Sequence, residues 1–305
     1  MSTSIGGTAM QAATRAVVLG GGGPVGRAWE TGLAAGLLLQ GMDLGGADLI
    51  IGTSAGAIVG AEIALGLSLE ALGPAADSPV GPAPSQISPA GLQRMMAATA
   101  RAAASPQPEL ELQGVGQMAL AAMTCSEEES LSRITFAPVT GRQWPRNFWA
   151  TSVSAGTGRF QVWTAASGVP LERAVAASSA LPNVWPPITI GQDRYMDGGM
   201  RSTLNADLAA GYSRVVVVSC FALGEPAAAN APAVPRDRSL RGEIESLRTG
   251  GSAVEVVSPG TAFLALTGNG TRMLDNSLVP QAYEAGQRQA LDEGDRIRAN
   301  WLIEE

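Results

Sequence analysis

An alternation that occurs twice in the first seventy residues constrains this chain most. Ala16-Val17-Val18-Leu19 is a short apolar run stopped by four glycines, residues 20–23. It predicts a buried strand running into a tight loop. Pro24 suits a first helical turn, where the missing N–H costs nothing. Trp29, Leu33, Leu37 and Leu38 then recur at helical spacing over residues 27–40, with Gly41 as the stop. Asp48-Leu49-Ile50-Ile51 is a second strand, followed by Gly52-Thr53-Ser54-Ala55-Gly56 and a helical pattern over residues 57–69. Strand, loop, helix, strand, turn, helix is the order of a parallel sheet with helices on its faces.

Residues 74–147 break that rhythm. Pro74, Pro79, Pro82, Pro84, Pro89, Pro106 and Pro108 punctuate Met- and Ala-rich helical stretches. This segment reads as a lid-like insertion over the core, or else as an ordinary part of the fold with long loops. Strands are expected again at 148–153 and 159–164, with a helix from Leu171 into Ser178-Ser179-Ala180-Leu181-Pro182. Arg194-Tyr195-Met196 leads to Asp197-Gly198-Gly199, and residues 215–220 form the clearest buried strand. Residues 224–238 read as a flexible Ala/Pro loop, 254–257 as the last strand and 281–301 as a terminal helix. The expected organisation is one domain over residues 1–305 with a disordered leader at 1–14.

Two absences narrow the chemistry. The 305 residues include no His, and all 20 basic residues are Arg. A Ser-His-Asp triad, a Ser-Lys dyad, a Schiff-base lysine and a P-loop ending in Lys are therefore impossible within the chain. Acid–base work falls to a carboxylate. With Cys125 and Cys220 alone, neither a disulfide framework nor a zinc site is expected, and no metal or cofactor is called for. The net charge of −7 argues against general affinity for nucleic acid, which needs basic residues to displace counterions. No basic, apolar leader and no run of ~18 apolar residues appears, so the expectation is a cytoplasmic protein.

A serine hydroxyl is a poor nucleophile unless a base and oxyanion donors converge on it. Gly52, Ser54 and Gly56 lie between a buried strand and a helix, the setting in which a sharp turn exposes the serine at a helix N-terminus. A tight structural turn is the alternative in a chain with 38 Gly. Upstream, Gly21-x-Gly23-x-x-Gly26 formally matches a dinucleotide-binding fingerprint. The acid that should end the second strand is missing; Gly52-Thr53-Ser54 stands there. The same loop reads better as an oxyanion hole, because consecutive glycines let several N–H groups point at one spot. Among 27 acids, Asp197 stands out because it follows a short strand and precedes two glycines. Alone it would read as a turn.

Together these motifs resemble the patatin-like phospholipase family, whose pattern is a glycine-rich loop, then Gly-x-Ser-x-Gly, then Asp-Gly-Gly. Here they fall in that order at residues 20–26, 52–56 and 197–199, with Ala177-Ser178-Ser179-Ala180-Leu181-Pro182 resembling the segment before the aspartate. The resemblance implies a three-layer α/β/α sandwich around a mainly parallel sheet. It implies a lipid acyl-ester hydrolase in which Ser54 forms the acyl-enzyme, Asp197 takes its proton, and Gly21, Gly22 and Gly23 hold the oxyanion. Gly26, Gly52, Gly56, Gly198 and Gly199 would support those turns. The family's loop carries a basic residue before its last glycine, where this chain has Val25; Arg27 follows instead. A thioesterase or acyltransferase would use the same pair. A nucleotide-binding protein using residues 21–26 and a catalytically idle scaffold are the readings from other classes. The implied partners are a lipid or acyl-ester substrate and transient contact with a lipid surface through the Met-rich stretch.

Overall fold

The computed structural model describes residues 14–73, 89–223 and 235–301. Its first half alternates as the sequence predicts. Strand β1 (Arg15–Leu19) leads to helix α1 (Gly23–Leu39), and β2 (Leu49–Gly52) to α2 (Ala55–Ala64). Helix α2 stops well short of Leu69: Gly66 adopts a positive φ of 64°, and Ser68 caps a separate short helix, α3 (Leu69–Leu72), by accepting from the Ala71 N–H.

Helices α4 (Pro89–Ala104), α5 (Pro108–Ala121) and α6 (Glu127–Leu131) precede strands β3 (Phe148–Ser154) and β4 (Phe160–Trp163). Helix α7 (Leu171–Ser178) is followed by β5 (Ile188–Ile190) and β6 (Asp193–Asp197), and then by β7 (Arg214–Val218). The chain closes with α8 (Pro235–Thr249), β8 (Ala253–Val257), α9 (Thr261–Thr267) and α10 (Val279–Trp301). Residues 235–238, expected as the end of a loop, are the first turn of α8; residues 224–234 and most of the expected leader, 1–13, lie outside the described residues. Thr14 is no part of a free leader, since its carbonyl accepts from Arg214 N–H at 3.0 Å.

The eight described strands form one sheet in the order β5-β6-β3-β2-β1-β7-β8, with β4 also paired to β3. Five strands, β3-β2-β1-β7-β8, run parallel, and β4, β5 and β6 make an antiparallel edge. Side chains alternate across the pleat, so each strand feeds two layers. Val17, Leu19, Ile50, Phe148 and Val218 pack on one face against α1, α2, α7 and α10. Ala16, Val18, Ile51, Val215 and Val217 pack on the other against Leu240, Ile244 and Leu247 of α8. On that second face the α4–α5 hairpin adds its own cluster, in which Met95, Leu112 and Val115 meet Val153 and Met196. The result is a three-layer α/β/α sandwich. No described helix is long and apolar enough to cross a membrane.

Candidate active site

Parallel pairing of β1 with β2 puts Leu19 opposite Gly52, so the glycine loop and the Ser54 turn leave the sheet side by side. They are stitched together there. The Gly56 N–H donates to Gly20 O at 3.0 Å and the Thr53 N–H to Leu19 O at 3.1 Å. A methyl group on Gly56 would come within 2.1 Å of Leu19 O, which is why this turn tolerates no side chain there. Ser54 is the N-terminal cap of α2, with φ 56° and ψ −116°. A non-glycine residue held at positive φ costs about 1–3 kcal/mol and persists only where its surroundings enforce it. Here they do: the Ser54 N–H donates to the hydroxyl of fully buried Ser178 at 3.0 Å.

Asp197 ends β6 beside Ser152 of β3. Its own N–H donates to Ala180 O at 3.0 Å, which fixes the strand end against the Ser178–Leu181 turn. Ser54 Oγ donates to Asp197 Oδ2 at 2.6 Å, and the Gly199 N–H donates to Oδ1 at 2.7 Å. Asp197 is only 2% exposed, and burial pushes its pKa up to about 7 against the pull of those two hydrogen bonds. The structure thus brings together residues 143 positions apart that the sequence offered separately.

The glycine loop needs one correction. The Gly21 N–H donates to Thr203 O at 2.8 Å and so is not free to meet a ligand, although Gly21 does lie against Ser54. The N–H groups of Gly22 and Gly23 meet no acceptor among the described residues. Gly26 donates back to Gly22 O within the first turn of α1. Arg27, which follows the loop, pairs with buried Glu62 of α2 at 2.6 Å. Burial raises the Glu62 pKa, and the Arg27 charge opposes the rise.

Sequence reasoning missed a polar layer under the pair. Thr53 Oγ1 and Thr151 Oγ1 lie 2.9 Å apart, and Asn205 Nδ2 donates to Thr53 Oγ1 at 3.0 Å. No local pattern marks Thr53, Thr151 and Asn205, which lie in three separate segments and are buried together only in the fold. Among the described residues no group of three or more His, Cys, Asp or Glu side chains is placed to hold a metal ion.

Comparison with known proteins bears on the second half of this site. Residues 87–210 match the model of the family described as patatin-like phospholipase. The chain is similar to the patatin-like phospholipases. The patatin-like match includes Ser178, Asp197 and Asn205 and ends before β7; the glycine loop and Ser54 lie outside it. No curated protein matches the chain. Similar solved structures include VipD from Legionella pneumophila, 11% identical with a TM-score of 0.46, covering 94% of this chain and 67% of that one. Another is the type III effector protein ExoU, 15% identical with a TM-score of 0.36, covering 91% of this chain and 53% of that one. This chain therefore spans about two thirds of the first and about half of the second.

Proposed function

We propose that the chain is a lipid acyl-ester hydrolase in which Ser54 is the nucleophile and Asp197 the only base. The observation that carries this reading is the 2.6 Å hydrogen bond from Ser54 Oγ to a buried carboxylate in a chain without histidine or lysine. A carboxylate at its ordinary pKa is too weak a base for a serine hydroxyl. One lifted toward 7 by burial is better matched to the task. The lipid character of the substrate rests on the patatin-like match.

In this mechanism Ser54 Oγ attacks the ester carbonyl as its proton passes to Asp197 Oδ2. The tetrahedral oxyanion is held by the N–H groups of Gly22 and Gly23, at the positive end of the 17-residue helix α1. Each such donor is worth roughly 3–4 kcal/mol in acyl-transfer enzymes. Collapse expels the alcohol, which takes the proton from Asp197 and leaves an acyl-Ser54 ester. Asp197 then accepts a proton from water, the resulting hydroxide attacks the acyl carbon, and Ser54 leaves with the proton restored. A dinucleotide site on the same loop is less well supported, because β2 ends at Gly52 with no acid to hold a ribose.

The test is labelling by a fluorophosphonate, which reports an activated serine directly. Wild-type protein should label at one site, and Ser54→Ala should abolish the signal while the thermal transition stays cooperative. A folded wild-type protein that takes no label would sink the reading.

A further inference from the structure

Asn205 is completely buried and sits at positive φ (52°) where the chain returns from Asp197 toward β7. Its Nδ2 lies 2.8 Å from Ser202 O, 3.0 Å from Thr53 Oγ1, 3.4 Å from Thr151 Oγ1 and 3.4 Å from Gly198 O. An amide nitrogen has two hydrogens, so these four acceptors share them. Two of the four flank the proposed pair: Thr53 immediately precedes Ser54, and Gly198 immediately follows Asp197.

The direction of the amide is fixed from its other end. Arg201 Nη1 donates to Asn205 Oδ1 at 2.7 Å, and a guanidinium can only donate. Turning the amide over would set NH2 against guanidinium on one side and carbonyl against carbonyl on the other. Arg201 is itself pinned by two bonds to Asp207, at 3.0 and 2.7 Å, and by the Phe160 ring 4.3 Å from its carbon. Because Asn205 donates to Thr53 Oγ1, the Thr53 hydroxyl proton is free to point at Thr151 Oγ1. Thr53 Oγ1 also lies 3.5 Å from Leu204 O, and either hydroxyl can donate in the Thr53–Thr151 pair, so it is the amide whose direction is set.

We propose that Asn205 is a positioning residue for the Ser54–Asp197 pair, tying the nucleophile's turn to the base's turn, and that Arg201 sets the direction in which its amide acts. The inference rests on the hydrolase reading above and deepens it. Asn205 touches neither reacting group. It holds the backbone on each side so that Oγ and Oδ2 stay within a short hydrogen bond, and a misplacement of about 1 Å in such geometry can cost a hundredfold in rate.

The experiment compares wild type with Asn205→Ala, Asn205→Asp and Arg201→Met. Competent sites are counted by fluorophosphonate titration, and kcat, KM and the pH profile are then measured per titrated site on a soluble ester. Asn205→Ala should lower kcat roughly tenfold to a hundredfold with KM nearly unchanged. Asn205→Asp should be as poor despite its similar size, because it puts an acceptor where a donor is needed. Arg201→Met, at a partly exposed position where folding is least at risk, should fall between wild type and the Asn205 variants. In each case the pH midpoint should move upward as the Ser54 bond, which holds the Asp197 pKa down, loosens. Variants that lose only thermal stability, with kcat per site and pH midpoint as in wild type, overturn the proposal. A wild type that takes no label removes the hydrolase reading and this one with it, whereas a labelled wild type with unchanged variants removes this one alone.

Discussion

Burial does two opposite things to Asp197: it makes the carboxylate a usable base and makes the folded chain costlier to ionise. Its pKa is about 7 in the fold, against roughly 3.9 in an unfolded chain. Between those values the folded state keeps a proton that the unfolded state has lost, so stability falls as pH rises through that window. Above about 7 the penalty is complete and constant. Asp197→Asn removes the ionisation while keeping an acceptor for Ser54. It should therefore be more stable to unfolding than wild type at pH 8, by on the order of a few kcal/mol, with the gain gone near pH 4. In wild type, labelling of Ser54 should rise with pH through about 7, since only the ionised carboxylate can accept its proton. Equal stability differences at pH 4 and pH 8 would show that Asp197 does not titrate as its burial requires.

Elements differ in how openly the sequence announces them. β1, α1, β2 and the start of α2 are legible because apolar periodicity and glycine punctuation are local signals, and the Ser54 turn comes with them. β5 is three residues long and exists through its pairing with Tyr195 of β6, a partner that no local pattern names. Helix α8 was hidden for another reason. Among its described side chains, Leu240, Ile244 and Leu247 make the buried stripe, a sparse pattern among Arg and Glu residues. Asn205 was invisible because its decisive bond reaches across 152 positions to Thr53. The Met-rich segment was ambiguous on composition, and its described helices pack as core. Leu112 of α5 is 3% exposed beside Val153 and Met196, whereas Leu110, two positions earlier, is 61% exposed. Leu112→Ala should thus cost about 2–5 kcal/mol in denaturant unfolding. Leu110→Ala should stay within about 0.5 kcal/mol. Similar losses for both would mean that α5 is rotated from the face described.

At the scale of the whole molecule, the position of the glycine loop depends on the other end of the chain. Helix α1 begins at Gly23 and lies along α10, and the two cross with almost no side chain between them. A methyl group on Gly32 would come within 2.1 Å of Tyr283 O, and one on Gly286 within 2.1 Å of Trp29 O. Trp29 Nε1 also donates to Gln289 Oε1 at 3.1 Å, and Gln40 Nε2 to Ala290 O at 2.8 Å, so the contact is keyed as well as close. Since α1 is continuous from this seam to the proposed oxyanion donors, displacing α10 must tilt the helix that carries them. Gly286→Val forces that displacement, because the obstacle is backbone and cannot rotate away. It should cost at least about 1–3 kcal/mol from overpacking and slow fluorophosphonate labelling of Ser54, although the serine lies in a different element. Leu291→Ala, on the same helix but 69% exposed, is the control and should leave both readouts near wild type. If Gly286→Val lost stability but labelled at the wild-type rate, α10 would be a support for the core alone, and the loop's geometry would have to be held by its bonds to β7, Thr203 and Met273.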